Sequence, residues 1–324
     1  NNQCGAALNS LCYNEVWAGT ASERSTRMKT DLYRRQALQA FAEARRRARW
    51  ESAWGRLRGK PTDLLSFEAV RTALGLTFRL AEGMHNVPLD DIVGSVDRVE
   101  DFTRRFYPRR DDLKHRWVRV AELVLEQGLG PVSLFRVSDI YFVDDGNHRV
   151  SVARALGAAS VEAEVWRYPC RIRLTRDLRP EDLPRKAAYL EFLHHTDLDR
   201  VRPDHTVDLT APERYAILEE HIAGHAKWLE AQRGGDPVPL GEAVASWYDR
   251  VYLPTVKIIC DLKVCREFPH LTEGDLYVIL LEHRRHLSRL WERPVSLREA
   301  IQDYIRHHGR SPLTRLRRWL RGRV

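Results

Sequence analysis

The sequence predicts an α+β protein: a small α/β module, a basic helix ahead of it and an all-helical region behind it. Three observations support this reading. Short apolar runs at 132–137, 140–143 and 161–166, set off by Gly, Pro, Ser and Asp, have the length of strands. The stretch from Met28 to Leu57 is dense in Ala, Leu, Gln and Arg, residues that lose little on entering a helix. Beyond Pro169 the apolar pattern changes to helical spacing.

Residues 1–27 have little periodicity and are expected to be a disordered or non-native extension. Residues 28–61 follow as a basic helical arm. Trp50 and Trp54, one turn apart, give it an apolar edge, and Gly59 to Pro61 break it. Leu64 to Leu76 is a second, short helical segment. Val87-Pro-Leu-Asp-Asp-Ile92 reads as a first strand or its exit, and 93–98 as a loop, because Gly94 and Ser95 interrupt the apolar pattern. Asp111 to Gln127 is an amphipathic helix with Leu113, Trp117, Val120 and Val124 on one face and Gly128 as its stop. Val132 to Val137 and Ile140 to Val143 form a hairpin turned at Ser138-Asp139, and 161–166 a further strand. The module is thus bounded at 62–169, with a helical domain over 170–309 and a basic tail over 310–324. Within the helical domain, Thr210, Thr272 and Ser296 open helices in capping patterns, and Pro254 kinks the long pattern from Gly241 to Glu267.

With 324 residues, 43% of them hydrophobic, the chain is long enough to bury cores for two domains. No apolar stretch approaches the roughly eighteen residues of a membrane span. No secretory leader is read, and a cytoplasmic location is expected. Five scattered cysteines suit reduced thiols. Cys260 and Cys265, separated by four residues, fall outside C-x-x-C spacing, so no metal site is expected there. The net charge of +8 is concentrated in Lys29 to Lys60, centred on Arg45, Arg46, Arg47 and Arg49, and in Arg310 to Arg323. Such clusters fit either a DNA backbone or a solvated face.

The chemistry concentrates at Ile140 to Gly157. An apolar strand stops at Asp144-Asp145-Gly146 and restarts at Asn147 as a helix with Val150, Ala153 and Leu156 on one side. A strand, a glycine turn and a helix N-terminus make an anion site. The opening amides lack acceptors, the helix dipole is positive there, and glycine lets a ligand approach. His148 and Arg149 add two charge-capable donors, and a guanidinium matches phosphate oxygens two at a time. Asp145 could serve as a base or, with Asp144, hold Mg²⁺ against a phosphate; either could equally be a turn aspartate.

Asp145-Gly-Asn-His-Arg149, after an apolar strand and before a small-residue helix, resembles the signature turn of the ParB/sulfiredoxin-like fold. That family includes the N-terminal domain of chromosome-partition ParB proteins, sulfiredoxins and an ADP-dependent free-serine kinase. The resemblance spans about Val87 to Val165, and the C-terminal half resembles an uncharacterised helical domain that accompanies such modules. It implies a nucleotide (ATP, ADP or CTP, with Mg²⁺) held by Gly146, Asn147, His148 and Arg149. A facing loop after the first strand would bring Gly94, Ser95 and Arg98, with Arg104 and Arg105 as further phosphate contacts. Asp145 and His148 would be the catalytic pair of a phosphotransferase or nucleotide hydrolase. Two departures weaken catalysis: Asn147 stands where sulfiredoxins carry cysteine, and Ser95 or Val96 where the serine kinase carries glutamate. A DNA-binding regulator without turnover is the alternative, and a scaffold that has lost its ligand a third. His221 and His225, one turn apart with no third ligand evident, read as a helix face.

Overall fold

The computed structural model describes residues 8–59 and 61–309, with side chains described from Arg27 onward except Arg56. The chain divides into two compact units, one ending at Glu181 and the other beginning at Asp182.

The first unit is built on a six-stranded mixed sheet. Its strands are β1 (Leu65–Ser66), β2 (Leu80–Pro88), β3 (Ile92–Ser95), β4 (Val132–Val137), β5 (Ile140–Asp145) and β6 (Ser160–Tyr168), in the order β1-β3-β5-β4-β6-β2. β3 runs parallel to β1 and β5, β4 pairs antiparallel with β5 and parallel with β6, and β2 closes the far edge antiparallel to β6. The helices are α1 (Leu8–Arg58), α2 (Phe67–Ala73), α3 (Lys114–Gln127) and α4 (Asn147–Ala155).

Alternation along the strands sends side chains to two faces. Leu134, Val143, Val161, Ala163 and Val165 meet Trp117 and Ala121 of α3, Val150 and Ala153 of α4, and one stripe of α1 in a continuous core. That stripe is Ala37, Phe41, Ala44 and Ala48, spaced by four, three and four residues, which is one face of a helix. Phe41 lies edge-on to Trp117 at 5.4 Å. On the opposite face Phe135, Phe142 and Tyr168 gather around Phe67 of α2, with centroids 4.9 to 5.5 Å from it.

Several expectations are corrected. The basic arm is no appendage, because the Phe41 stripe makes it part of the module's core. The N-terminal helix opens at Leu8 rather than Met28, since nothing between them breaks a helix as proline would; residues 1–7 lie outside the described residues. The first unit extends past 169 to Glu181. Ile172, Leu174 and Leu178 are buried in that extension, and Arg104 binds the carbonyls of Arg176 and Leu178 at 2.9 Å each. The loop expected at 93–98 is a buried strand through Ser95, because Gly94 fits there only as a gap: a Cβ would stand 2.4 Å from the Leu65 carbonyl oxygen and 2.5 Å from Phe142 Cδ1. A lone glycine in a strand marks close approach as often as a loop.

The second unit is helical: α5 (Leu183–Thr196), α6 (Leu198–Val201), α7 (Arg214–Gln232), α8 (Leu240–Trp247), α9 (Leu253–Asp261), α10 (Val264–Glu267), α11 (Glu273–Leu290) and α12 (Leu297–His308). Thr272 and Ser296 cap α11 and α12 in reciprocal boxes with Asp275 and Glu299. Thr210 does not cap α7; its amide bonds instead to the carboxylate of Asp275 at 3.1 Å. The kink ahead of Pro254 is a π-helical turn, Tyr248–Tyr252, which accommodates a ring that cannot donate to the preceding turn. Trp247, Tyr252 and Tyr277 are fully buried together, the indole donating to the Tyr277 hydroxyl at 3.2 Å. Among the described residues no helix is long and apolar enough to cross a membrane.

Candidate functional site

β5 delivers the chain to Gly146, whose φ of 106° and ψ of 23° lie in the left-handed region. A Cβ there would stand 2.7 Å from Val132 Cγ1, so the turn calls for glycine on two counts. α4 starts immediately afterwards with no side chain capping it. The first amide bonded within it is that of Val150, to the Gly146 carbonyl at 2.9 Å. The amides of Asn147, His148 and Arg149 have no acceptor among the described residues.

His148 is 5% exposed, and neither ring nitrogen has a hydrogen-bond partner. Its ring meets Phe102 edge-on at 5.4 Å. Burial, and then the positive charges of Arg116 and Arg98, push its pKa down to about 4, so the imidazole is neutral at pH 7. Arg116 is exposed and has no ion-pair partner among the described residues. It comes to this corner because Trp117 beside it packs α3 onto α4, its indole N–H donating to Ser151 Oγ at 2.8 Å. Sequence reasoning missed Arg116. The only available signal was its place next to the buried Trp117, on a helix that the resemblance did not connect to the turn.

Arg149 departs from expectation. Its guanidinium pairs with Asp145, Nη2 to Oδ2 at 2.6 Å, and also donates to the Pro131 carbonyl. Asp145 lies four residues back and is 78% exposed, so this is a surface pair. The i,i+4 spacing and a nearby carbonyl give the arginine two oxygen partners, Asp145 Oδ2 and the Pro131 carbonyl. The same pair engages Asp145, the carboxylate proposed as a catalytic base. Asp144 accepts from Ser133 Oγ at 3.1 Å, a turn role.

The facing group assembles only in part. Ser95 is buried and its Oγ lies 2.8 Å from Asn147 Oδ1 and 3.1 Å from the Val143 carbonyl; a hydroxyl has one proton, so it donates to one of them at a time. Gly94 faces Leu65 and Phe142, not a ligand. Arg98 has a positive φ of 55° and pairs with the buried Asp101 at 3.1 Å, which also takes Arg110 at 2.8 Å.

Arg104 and Arg105 lie elsewhere. Arg104 is buried, holds the backbone carbonyls of Asp63, Arg176 and Leu178, and has its pKa pushed down to about 10 by that burial. With Arg105, Arg58, Arg154 and Arg176 it lines a cavity of about 420 Å³, beside Trp54 and the acids Glu51, Asp90 and Asp177. Arg154 stands in the last turn of α4, so this cavity lies at the opposite end of that helix from His148.

Of the arginines assigned to DNA, Arg45 bonds to Asp111 at 2.8 Å and to the Pro108 carbonyl, and Arg47 pairs with Glu43; Arg46 and Arg49 are exposed. The run 310–323 lies outside the described residues. In the second unit His225 bonds to Ser246 at 2.9 Å, while His221 is buried against Tyr277, so the two do not share a ligand position. Comparison with protein-family models, with characterised proteins and with solved structures finds no match for the chain.

Proposed function

We propose that the first unit binds a phosphorylated ligand, in the first place a nucleotide, at the opening of α4. One observation carries this reading: His148 is closed off from water with both nitrogens unbonded, on a helical turn whose amides have no acceptor. Each unmet buried polar group costs about 1–3 kcal/mol. An oxyanion there would accept from the imidazole and the amides and offset the charge of Arg116, which has no ion-pair partner among the described residues. The resemblance of Asp145 to Arg149 to the ParB/sulfiredoxin-like signature supports the same placement. Because Asp145 is engaged by Arg149, the proposal is binding, and neither phosphotransfer nor hydrolysis is included.

That same ion pair favours a second reading, a scaffold with no ligand at this corner. Calorimetric titration of the chain with ATP, ADP and CTP in Mg²⁺ separates the two. Binding by wild type that His148→Leu abolishes supports the nucleotide site. The absence of heat with all three, in wild type and variant alike, leaves the scaffold.

A further inference from the structure

The cysteines that spacing alone set aside are brought together by the fold. Cys260 lies in the last turn of α9 and Cys265 in α10, and between them Lys263 adopts φ 56° and ψ 30°. A left-handed conformation is uncommon for a side-chain-bearing residue. Here it reverses the chain, with the Lys263 amide bonded back to the Cys260 carbonyl at 2.9 Å. Buried Ile259 on one side and Val264 on the other fix the reversal to the core. The two thiols are thereby folded towards each other across five positions, a separation that an unbroken helix would place on different faces.

A third donor arrives from another element. Glu273 is the first residue of α11, and its position is held by the cap around it. Thr272 accepts from the Asp275 amide at 3.1 Å and donates to the Asp208 carbonyl at 2.7 Å, while Asp275 is wholly buried. Cys260 Sγ donates to Glu273 Oε1 at 3.2 Å, and the ligand atoms of Cys260, Cys265 and Glu273 all lie within 4.8 Å of one another. Cys260 and Glu273 are exposed and Cys265 half-buried, so the cluster is open to solvent on one side.

We infer that Cys260, Cys265 and Glu273 form a binding site for a thiophilic divalent cation of the Zn²⁺ class, with its fourth position open to water or an external donor. Two sulfurs and one carboxylate suit a borderline-soft ion with metal–sulfur distances near ~2.3 Å and metal–oxygen distances near ~2.0 Å. Tetrahedral coordination draws such donors to within about 4 Å of each other, a small contraction from the arrangement present. Binding forms two metal–sulfur bonds and one metal–oxygen bond, and each thiol releases its proton to solvent. An all-oxygen ion such as Mg²⁺ or Ca²⁺ is disfavoured by the two sulfurs. The site belongs wholly to the second unit and is independent of the nucleotide proposal.

The test is Co²⁺ titration of the full chain, kept reduced with a phosphine. Wild type is expected to take up one ion with a near-ultraviolet thiolate-to-cobalt band and the strong visible absorption of tetrahedral cobalt, both bleached by Zn²⁺. The double variant Cys260→Ser/Cys265→Ser should lose the near-ultraviolet band although Cys4, Cys12 and Cys170 remain. Glu273→Gln, an exposed change that leaves the fold intact, should keep the sulfur band and weaken affinity by about tenfold or more. A wild type without the band, a double variant that retains it, or Glu273→Gln with unchanged affinity would each overturn the three-ligand site.

Discussion

Arg149 and Asp145 face each other one helical turn apart, 2.6 Å between Nη2 and Oδ2, and this pair sets the direction of the arginine after the Gly146 turn. The carboxylate is mostly in water, so the pair holds no more than about 1 kcal/mol. An anion arriving at α4 would compete with Asp145 for the guanidinium. Asp145→Ala is therefore expected to leave thermal stability nearly unchanged and to tighten nucleotide binding several-fold in calorimetry. If it abolishes binding instead, Asp145 serves the ligand directly and is no competitor.

Two buried histidines should make the fold sensitive to mild acid. His148 and His221 have their pKa pushed to about 4, in each by burial first and then by neighbouring arginine charge. In the unfolded chain each titrates near ~6.5. Between those values the unfolded chain binds more protons, so stability is full above ~6.5 and declines as the pH falls towards 4. Each site contributes roughly 3 kcal/mol in the limit. Urea unfolding at about pH 7 and about pH 5 should show a smaller decline for His148→Leu and for His221→Leu than for wild type. An identical decline in all three would mean that these imidazoles are hydrated in the folded protein.

His148→Leu carries a second expectation. Removing two unbonded buried nitrogens should raise stability at neutral pH by about 1 kcal/mol, while nucleotide binding is lost. A destabilised variant would imply that the imidazole is bonded in the folded state.

The glycines are required for different reasons, and substitution should separate them. Gly146→Ala meets both a left-handed φ and Val132, and is expected to cost roughly 2 kcal/mol or more in chemical denaturation. Gly94→Ala has an ordinary φ but drives a methyl into the Leu65 carbonyl and Phe142, so β1 should separate from β3. Faster amide exchange at Leu65 and Ser66 would report that; protection equal to wild type would contradict it.

Much of the first unit was legible because its signals are local. The Ser138 turn, Gly128 as the stop of α3 and the strand–glycine–helix corner each follow from one or two residues with a stated backbone preference. β3 was not legible, since Gly94 marks a loop and a crowded strand equally well until Phe142 is placed opposite it. The role of the basic arm was hidden for a similar reason: a stripe of three alanines and Phe41 is a weak apolar signal until Trp117 meets it. At the site, Gly146 and the opening amides were readable. The direction of Arg149 was not, because it depends on the Pro131 carbonyl, eighteen residues away in sequence. The approach of Cys265 to Cys260 depends on a left-handed lysine that no composition rule would place.

The most direct measurement is the NMR titration of the His148 ring in isotope-labelled protein, with and without inorganic phosphate or ADP. The ring signals should move on ligand addition, and the pKa should climb from about 4 as the bound anion offsets the charges of Arg116 and Arg98. Ring signals and a pKa that stay unmoved at saturating ligand, while the protein remains folded, would contradict an anion site at the opening of α4.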